Sequence, residues 1–293
     1  MKSHSSLNRS VSLPDVRDRR PRQWAGFLLL LCFMNMTPAL AVVFTSDTLI
    51  ETNNLTYEGQ DMVVSGCTVT INGAHAFNSL TVTNSGVVTH SPCVYDSVTK
   101  WVDLTIATDV FVATGSAIDV SGKGYGSDTG PGKGGGGNYA GGGGYGGTGG
   151  RSYNGSGGGA YGAVLDPLDP GSGGGTGYDG NAGGAGGGAV RLVVGGQLQL
   201  DGSLLANGNN DGTYGGGGSG GSINLHVATL SGATTGLIEA KGGSTGAGGG
   251  GGGGRIAAYY GSSTYAGVWR ASGGTRFGQR SSIPLTLKGE SRL

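Results

Sequence analysis

Asp166 and Asp169 stand in Leu165-Asp-Pro-Leu-Asp-Pro170, the Pro-rich interruption of a long glycine tract. Two carboxylates at this spacing could share acid–base work on an acidic polysaccharide, as lyase or hydrolase. Such chemistry would also want basic side chains on the same face to hold uronate groups, and Arg151 is the basic residue close by in sequence. The simpler reading is a rigid turn in a loop, with proline fixing φ. Tyrosines offer a second chemistry. Tyr125, Tyr139, Tyr145, Tyr153, Tyr161, Tyr178 and Tyr214 are scattered through glycine-rich text, and a tyrosine ring has area to bury and a hydroxyl to satisfy. Tyr139, Tyr145 and Tyr153 are the candidate stacking platforms for a glycan.

Other motifs are products of composition. Gly122-Lys-Gly-Tyr-Gly126 is not followed by a helix pattern, and Gly132-Lys133-Gly134 lacks the Ser/Thr of a P-loop. Gly174-Gly-Thr-Gly-Tyr-Asp179 matches part of a calcium-binding nonapeptide, but Asn181 replaces the large apolar residue. His75, His90 and His226 have no metal-ligand spacing. The expectation is therefore no catalytic constellation, no metal site and no cofactor. Asn54-Leu55-Thr56 and Asn154-Gly155-Ser156 fit a glycosylation sequon, which matters only in a eukaryotic host.

The chain ends its basic N-terminal stretch at Arg22 and continues into the apolar run Trp24-Ala-Gly-Phe-Leu-Leu-Leu-Leu-Cys-Phe-Met34. Thr37-Pro-Ala-Leu-Ala41 follows, with Ala39 and Ala41 in the positions a signal peptidase reads. A secretory signal over residues 1–41 is expected; an uncleaved signal anchor is the alternative, the one route by which this chain would meet a membrane. The full sequence carries 18 basic and 18 acidic groups, and residues 1–41 hold six and two of them, leaving 12 and 16. The remainder is acidic and without a basic patch, so nucleic acid is not an expected partner. Export also suits the cysteines. Cys67 and Cys93 remain after signal removal, and a disulfide between them would close a loop of roughly 27 residues, worth about 3 kcal/mol. Two buried free thiols are the other reading.

The elements that must position these residues are strands. Met62-Val-Val-Ser-Gly-Cys-Thr-Val-Thr-Ile71 and Leu80-Thr-Val-Thr-Asn-Ser-Gly-Val-Val-Thr89 alternate apolar and polar residues, and no stretch shows a convincing helical period. Segments 104–122, 192–208 and 225–242 repeat one pattern: strand, turn, strand, Gly, short strand, Gly. The inward positions expected are Ile106, Val110, Val112, Ile118 and Val120 in the first copy. Leu192, Val194, Leu198, Leu200 and Leu205 serve in the second, and Leu225, Val227, Leu230 and Ile238 in the third. One such unit cannot bury its apolar face alone, whereas stacked units share a core. The predicted fold is all-β, a right-handed parallel β-helix with glycine-rich insertions, with a β-sandwich bearing glycine-rich loops as the alternative. Rungs are expected over 42–121 and 189–262, a glycine/tyrosine-rich insertion over 122–188, a second glycine tract over 208–254 and a tail over 263–293. With 68 glycines the chain loses much backbone entropy on ordering. The tracts either pack backbone on backbone or remain flexible excursions.

The phrases closing the tracts, Gly171-Ser-Gly-Gly-Gly175, Gly183-Gly-Ala-Gly-Gly-Gly-Ala-Val-Arg-Leu192, Gly217-Gly-Ser-Gly-Gly-Ser-Ile-Asn-Leu225 and Gly252-Gly-Gly-Arg-Ile-Ala-Ala-Tyr-Tyr260, join Asp119-Val-Ser-Gly-Lys-Gly-Tyr-Gly126 in a recognisable order. Over roughly residues 77–260 the chain resembles large secreted glycine-rich β-helix proteins of bacteria, with similar stretches in plant glycine-rich membrane protein ectodomains. The resemblance implies a surface or extracellular structural or adhesive role. It supplies no catalytic residues. The expected partners are cell-wall or extracellular polysaccharide or other surface proteins.

Overall fold

The computed structural model describes residues 41–94 and 100–276. The basic and apolar segments read as an export signal, including Ala39, lie outside the described residues, as does the tail from 277; Ala41 is exposed immediately before the first strand.

From Val42 the chain lays down short strands in tiers. β1 (Val42–Phe44) and β2 (Thr48–Ile50) form the first, and β3 (Asp61–Ser65) and β4 (Thr68–Ile71) the second. β5 (Gly73–Phe77), β6 (Ser79–Thr83) and β7 (Val87–Thr89) follow, then β8 (Val102–Ile106), β9 (Val110–Val112) and β10 (Ala117–Asp119). After the glycine/tyrosine-rich insertion come β11 (Ala189–Leu200) with β12 (Ser203–Leu205), β13 (Ser222–Ser231) with β14 (Leu237–Glu239), and β15 (Arg255–Ser263) with β16 (Val268–Arg270). Each tier gives strands first to a 9-stranded sheet and then one strand to a 7-stranded sheet. Among the described residues every strand pairing is parallel and joins strands one tier apart. A sandwich of hairpins would instead pair strands adjacent in sequence.

Period-two alternation sends one face of each strand inward. Leu104, Leu192 and Leu225 stack in register, as do Val110, Leu198 and Leu230. On the second sheet Val88, Ile118, Leu204, Ile238 and Trp269 form one column. All but Trp269 of these residues are buried in one continuous core. The inward assignments drawn from the repeats are buried, with one exception. Leu204 is inward at 0% exposure and Leu205 is half-buried. Two consecutive leucines leave the alternation undecided, and pairing with Ile118 and Ile238 sets the parity.

The tier length changes along the stack. Polar contacts between adjacent tiers span 17 to 21 residues near the N-terminus, 86 to 88 across the insertion and 32 to 34 beyond it. This spacing overturns the expected disulfide. Thr68 pairs with Val87, so Cys67 lies beside the turn before Val87, and the Val87 N–H donates to the Cys67 carbonyl at 2.9 Å. Cys93 falls beyond the far end of β7, hydrogen-bonded through its N–H to Lys123 O. Both thiols are free and buried; Cys67 Sγ donates to Phe44 O at 3.3 Å and Cys93 Sγ to Lys100 O at 3.1 Å. Burial pushes the Cys93 thiol up to about 11.

Glycine-rich segments return the chain from the second sheet to the first and lie against one another. Gly143 N–H donates to Gly217 O, Gly217 N–H to Gly249 O and Gly184 N–H to Gly216 O, at 2.8 to 3.0 Å. A Cβ on Gly216 would stand 1.8 Å from Gly141 O, one on Gly158 1.8 Å from Gly132 O, and one on Gly249 1.9 Å from Gly150 O. None of these three has positive φ. Glycine is required here by proximity. The tracts are packed, backbone on backbone.

His90, fully buried, ties the third tier to the fifth. Its Nδ1–H donates to Ser91 O at 2.7 Å and its Nε2 accepts from Ala189 N–H at 3.2 Å. Desolvation holds the imidazole down at about 4 against a reference of 6.5. The unfolded chain therefore binds a proton that the fold refuses, and stability present above pH 6.5 is lost as pH falls.

Three outcomes are expected. Gly216→Ala should cost about 3 kcal/mol or more by overpacking, lowering the melting temperature by roughly 6–12 °C, while Gly212→Ala, whose Cβ meets nothing within 4 Å, should leave it unchanged. Acidification from pH 6.5 to 4 should remove about 3 kcal/mol through His90, and denaturant titrations of His90→Gln should show a shallower slope over that window. Reductant should not shift the melting temperature, and a thiol reagent should label Cys67 and Cys93 only after unfolding.

Candidate functional site

The outer face of the first sheet carries the densest set of polar side chains tied to the insertion. On β13, Ser222, Asn224 and His226 alternate with the inward Ile223, Leu225 and Val227. On β15, Arg255, Ala257 and Tyr259 alternate with Ile256, Ala258 and Tyr260. The register places Ser222 beside Arg255, Asn224 beside Ala257 and His226 beside Tyr259. On the other flank, Arg191 of β11 stands beside Asn224 and is paired with Asp103 at 3.0 Å.

Residues 161–170 lie across this face as a strap. Arg255 Nη2 donates to Tyr161 O at 2.8 Å, Tyr259 Oη to Leu165 O at 2.6 Å, and Asn224 Nδ2 to the Asp166 carboxylate at 2.5 Å. Ser222 Oγ donates to Asp169 O at 2.5 Å. The strap is tied to the sheet by polar groups; Pro167 and Pro170 are buried, while Val164, Leu165 and Leu168 are 41%, 68% and 39% exposed. Beneath it Ser222 and Asn224 are fully buried and Arg255 is nearly so. Two buried atoms there have no hydrogen-bond partner, Asn224 Oδ1 and Arg255 Nε.

Two tyrosines brace the strap from the glycine side. Tyr145 is fully buried, its hydroxyl 2.6 Å from Ser222 Oγ. Since Ser222 donates onward to Asp169 O, the Tyr145 hydroxyl is the donor to Ser222. Tyr161 Oη donates to Pro170 O and accepts from Ser172 Oγ at 2.9 Å. The rings lie 4.9 Å apart, and the Arg255 guanidinium sits 5.4 Å from the Tyr145 centroid. Burial pushes the Tyr145 phenol up to about 12 and that of Tyr161 higher still. Both are therefore neutral donors at physiological pH.

The sequence-predicted residues are distributed differently from the expectation. Tyr145 is inside and presents no stacking face. Tyr139 is half-buried, its N–H donating to Asn154 Oδ1 at 3.0 Å, and its ring meets Tyr214 edge-on at 5.7 Å. Tyr178 packs on Tyr214 at 6.1 Å, whereas Tyr153 stands alone in this respect at 86% exposure. The three candidates therefore do not form one platform; the aromatic cluster at the surface is the exposed pair Tyr178 and Tyr214 with half-buried Tyr139 against it. Arg151 is exposed, and the guanidinium that meets the strap is that of Arg255. His75 is paired with Glu58 at 2.7 Å, His90 sits between tiers and His226 stacks on Tyr259 at 4.7 Å; among the described residues no group of three His, Cys, Asp or Glu side chains is arranged to hold a metal ion.

Ser222, Asn224, Tyr259 and Arg255 escaped the sequence reading because their partners are 53, 58, 94 and 94 residues away. The one available signal was a polar triplet alternating with core positions in Ser222-Ile-Asn-Leu-His226. Comparison with models of known families, with curated proteins and with solved structures gives no match.

Proposed function

We propose that the chain is an exported, non-catalytic structural or adhesive protein of the cell surface or extracellular space, built as a right-handed parallel β-helix. The observation that carries this reading is the hydrogen-bonded wall of glycine segments alongside the stacked tiers, exemplified by the Gly184–Gly216, Gly143–Gly217 and Gly217–Gly249 bonds. Such a wall devotes sequence to stiffness and close packing. The position of the first strand supports the reading as well. The first described strand begins at Val42, so cleavage after Ala41 would leave every described strand intact. The resemblance to secreted glycine-rich surface proteins points the same way.

Among the described residues no helix is long and apolar enough to cross a membrane, so a signal anchor would rest on the N-terminal segment. A second reading, a carbohydrate-binding module, draws on the exposed cluster of Tyr178 and Tyr214 with Tyr139. Partners under either reading are wall or matrix polysaccharides or other surface proteins.

Fractionation of expressing cells, with mass spectrometry of the N-terminus, tests the proposal. The expected result is extracellular or surface-bound protein beginning at Val42. Protein retained in the cytoplasm with residues 1–41 attached would overturn it. Loss of glycan binding in Tyr178→Ala/Tyr214→Ala, without loss of surface location, would favour the second reading.

A further inference from the structure

We infer that the sheet face under the strap is a binding site for a carboxylate-bearing sugar, and that Asp166 occupies it as an internal substitute for that ligand. The starting point is Arg255. It is 9% exposed, and among the described residues no carboxylate forms an ion pair with it; the neighbouring ion pair on this face is that of Arg191 with Asp103. Its charge is met by a tyrosine face and one backbone carbonyl. A guanidinium drawn out of water without a carboxylate is costly. Its Nε–H is also unused, so the Nε/Nη2 edge, the edge that grips a carboxylate with two parallel hydrogen bonds, is spent on Tyr161 O alone.

Asn224 supplies the second feature. Its Nδ2 donates to the Asp166 carboxylate, while Oδ1 is buried with nothing to accept. An acceptor beside a carboxylate-binding donor suits a ligand that carries a hydroxyl next to its acid group. Tyr259, stacked on His226, lines the same face and offers a ring to a sugar's C–H surface. A uronate residue has all three complements: carboxylate, hydroxyls and an apolar face.

The strap completes the case. Its hydrogen bonds to the sheet run through Asp166 and three carbonyls; Pro167 and Pro170 are its buried apolar residues, and Val164, Leu165 and Leu168 project into solvent. Each of its four bonds is one that an acidic oligosaccharide could replace. The acidic groups facing the site are Asp166 and Asp169 on the strap and Asp103 behind Arg191; removal of the strap takes two of the three away. The inference concerns binding alone and does not depend on where the protein resides.

Calorimetric titration of the full chain with a galacturonate hexamer, and with its methyl ester as the uncharged control, is the test. The acidic hexamer is expected to bind and the ester not. Asp166→Ala should bind several-fold more tightly, because the competing internal carboxylate is gone, and Arg255→Gln should bind about tenfold more weakly or worse. Should Arg255→Gln fail to fold, chymotrypsin cleavage of the wild-type strap at Leu165 and Leu168 decides the matter, with faster cutting expected when the hexamer is present. Absence of binding by both wild type and Asp166→Ala, equal binding of acid and ester, or strap cleavage indifferent to the hexamer would each overturn the inference. Binding that persists while the protein proves cytoplasmic would instead overturn the surface role and leave this site standing.

Discussion

Backbone approaching backbone, with no side chain between, is the contact on which the rest of this structure depends. Where Gly216 passes Gly141, the space a methyl group would fill is occupied by a carbonyl oxygen. The compensation for the entropy that glycine loses on ordering is a hydrogen bond at nearly every step, such as Gly251 N–H to Gly243 O and Gly174 N–H to Gly184 O. Other bonds of the wall, Gly143 N–H to Gly217 O and Gly217 N–H to Gly249 O, join segments of different tiers, so the wall is completed only when the strands of those tiers have stacked. Strands and glycine segments are thus two halves of one cooperative unit, and a single added methyl in the wall is felt by both.

A wall of glycine has no side chains with which to anchor anything, so tyrosine performs that task. Tyr145 reaches from the insertion to Ser222 on the sheet, and Tyr161 links Pro170 to Ser172. Their burial keeps the phenols neutral, which makes them hydrogen-bond donors and structural pillars. Tyr178 of the insertion and Tyr214 of the second glycine tract stay near the surface against each other. Residues of one type in one kind of sequence environment therefore divide between framework and surface according to what lies beyond the glycine.

The insertion also decides where polar chemistry can gather. Its strap returns to the sheet and buries the outward side chains of β13 and β15, which elsewhere in the fold face water. That cover is tied down by hydrogen bonds, leaves Arg255 Nε and Asn224 Oδ1 unsatisfied, and turns ordinary solvent-facing positions into a desolvated polar face. Asp166 and Asp169, read from the sequence as a carboxylate pair or a turn, serve as points of attachment.

The strands, the three-fold repeat and most of its core positions were legible in the residues alone, because alternation is a local property. Leu104, Leu192 and Leu225 align by pattern and stack in fact. The sequence could not determine what depends on the distance between tiers. Cys67 and Cys93 were close enough in number to be bridged, yet a tier there spans too few residues to bring them together. Tyr139, Tyr145 and Tyr153 look alike in glycine-rich text, yet one is buried, one half-buried and one exposed. The meeting of Asp166 with Asn224, and of Tyr161 with Arg255, is set by how a long insertion folds back over a completed sheet. No local spacing encodes that return; only the assembled stack provides the surface on which it lands.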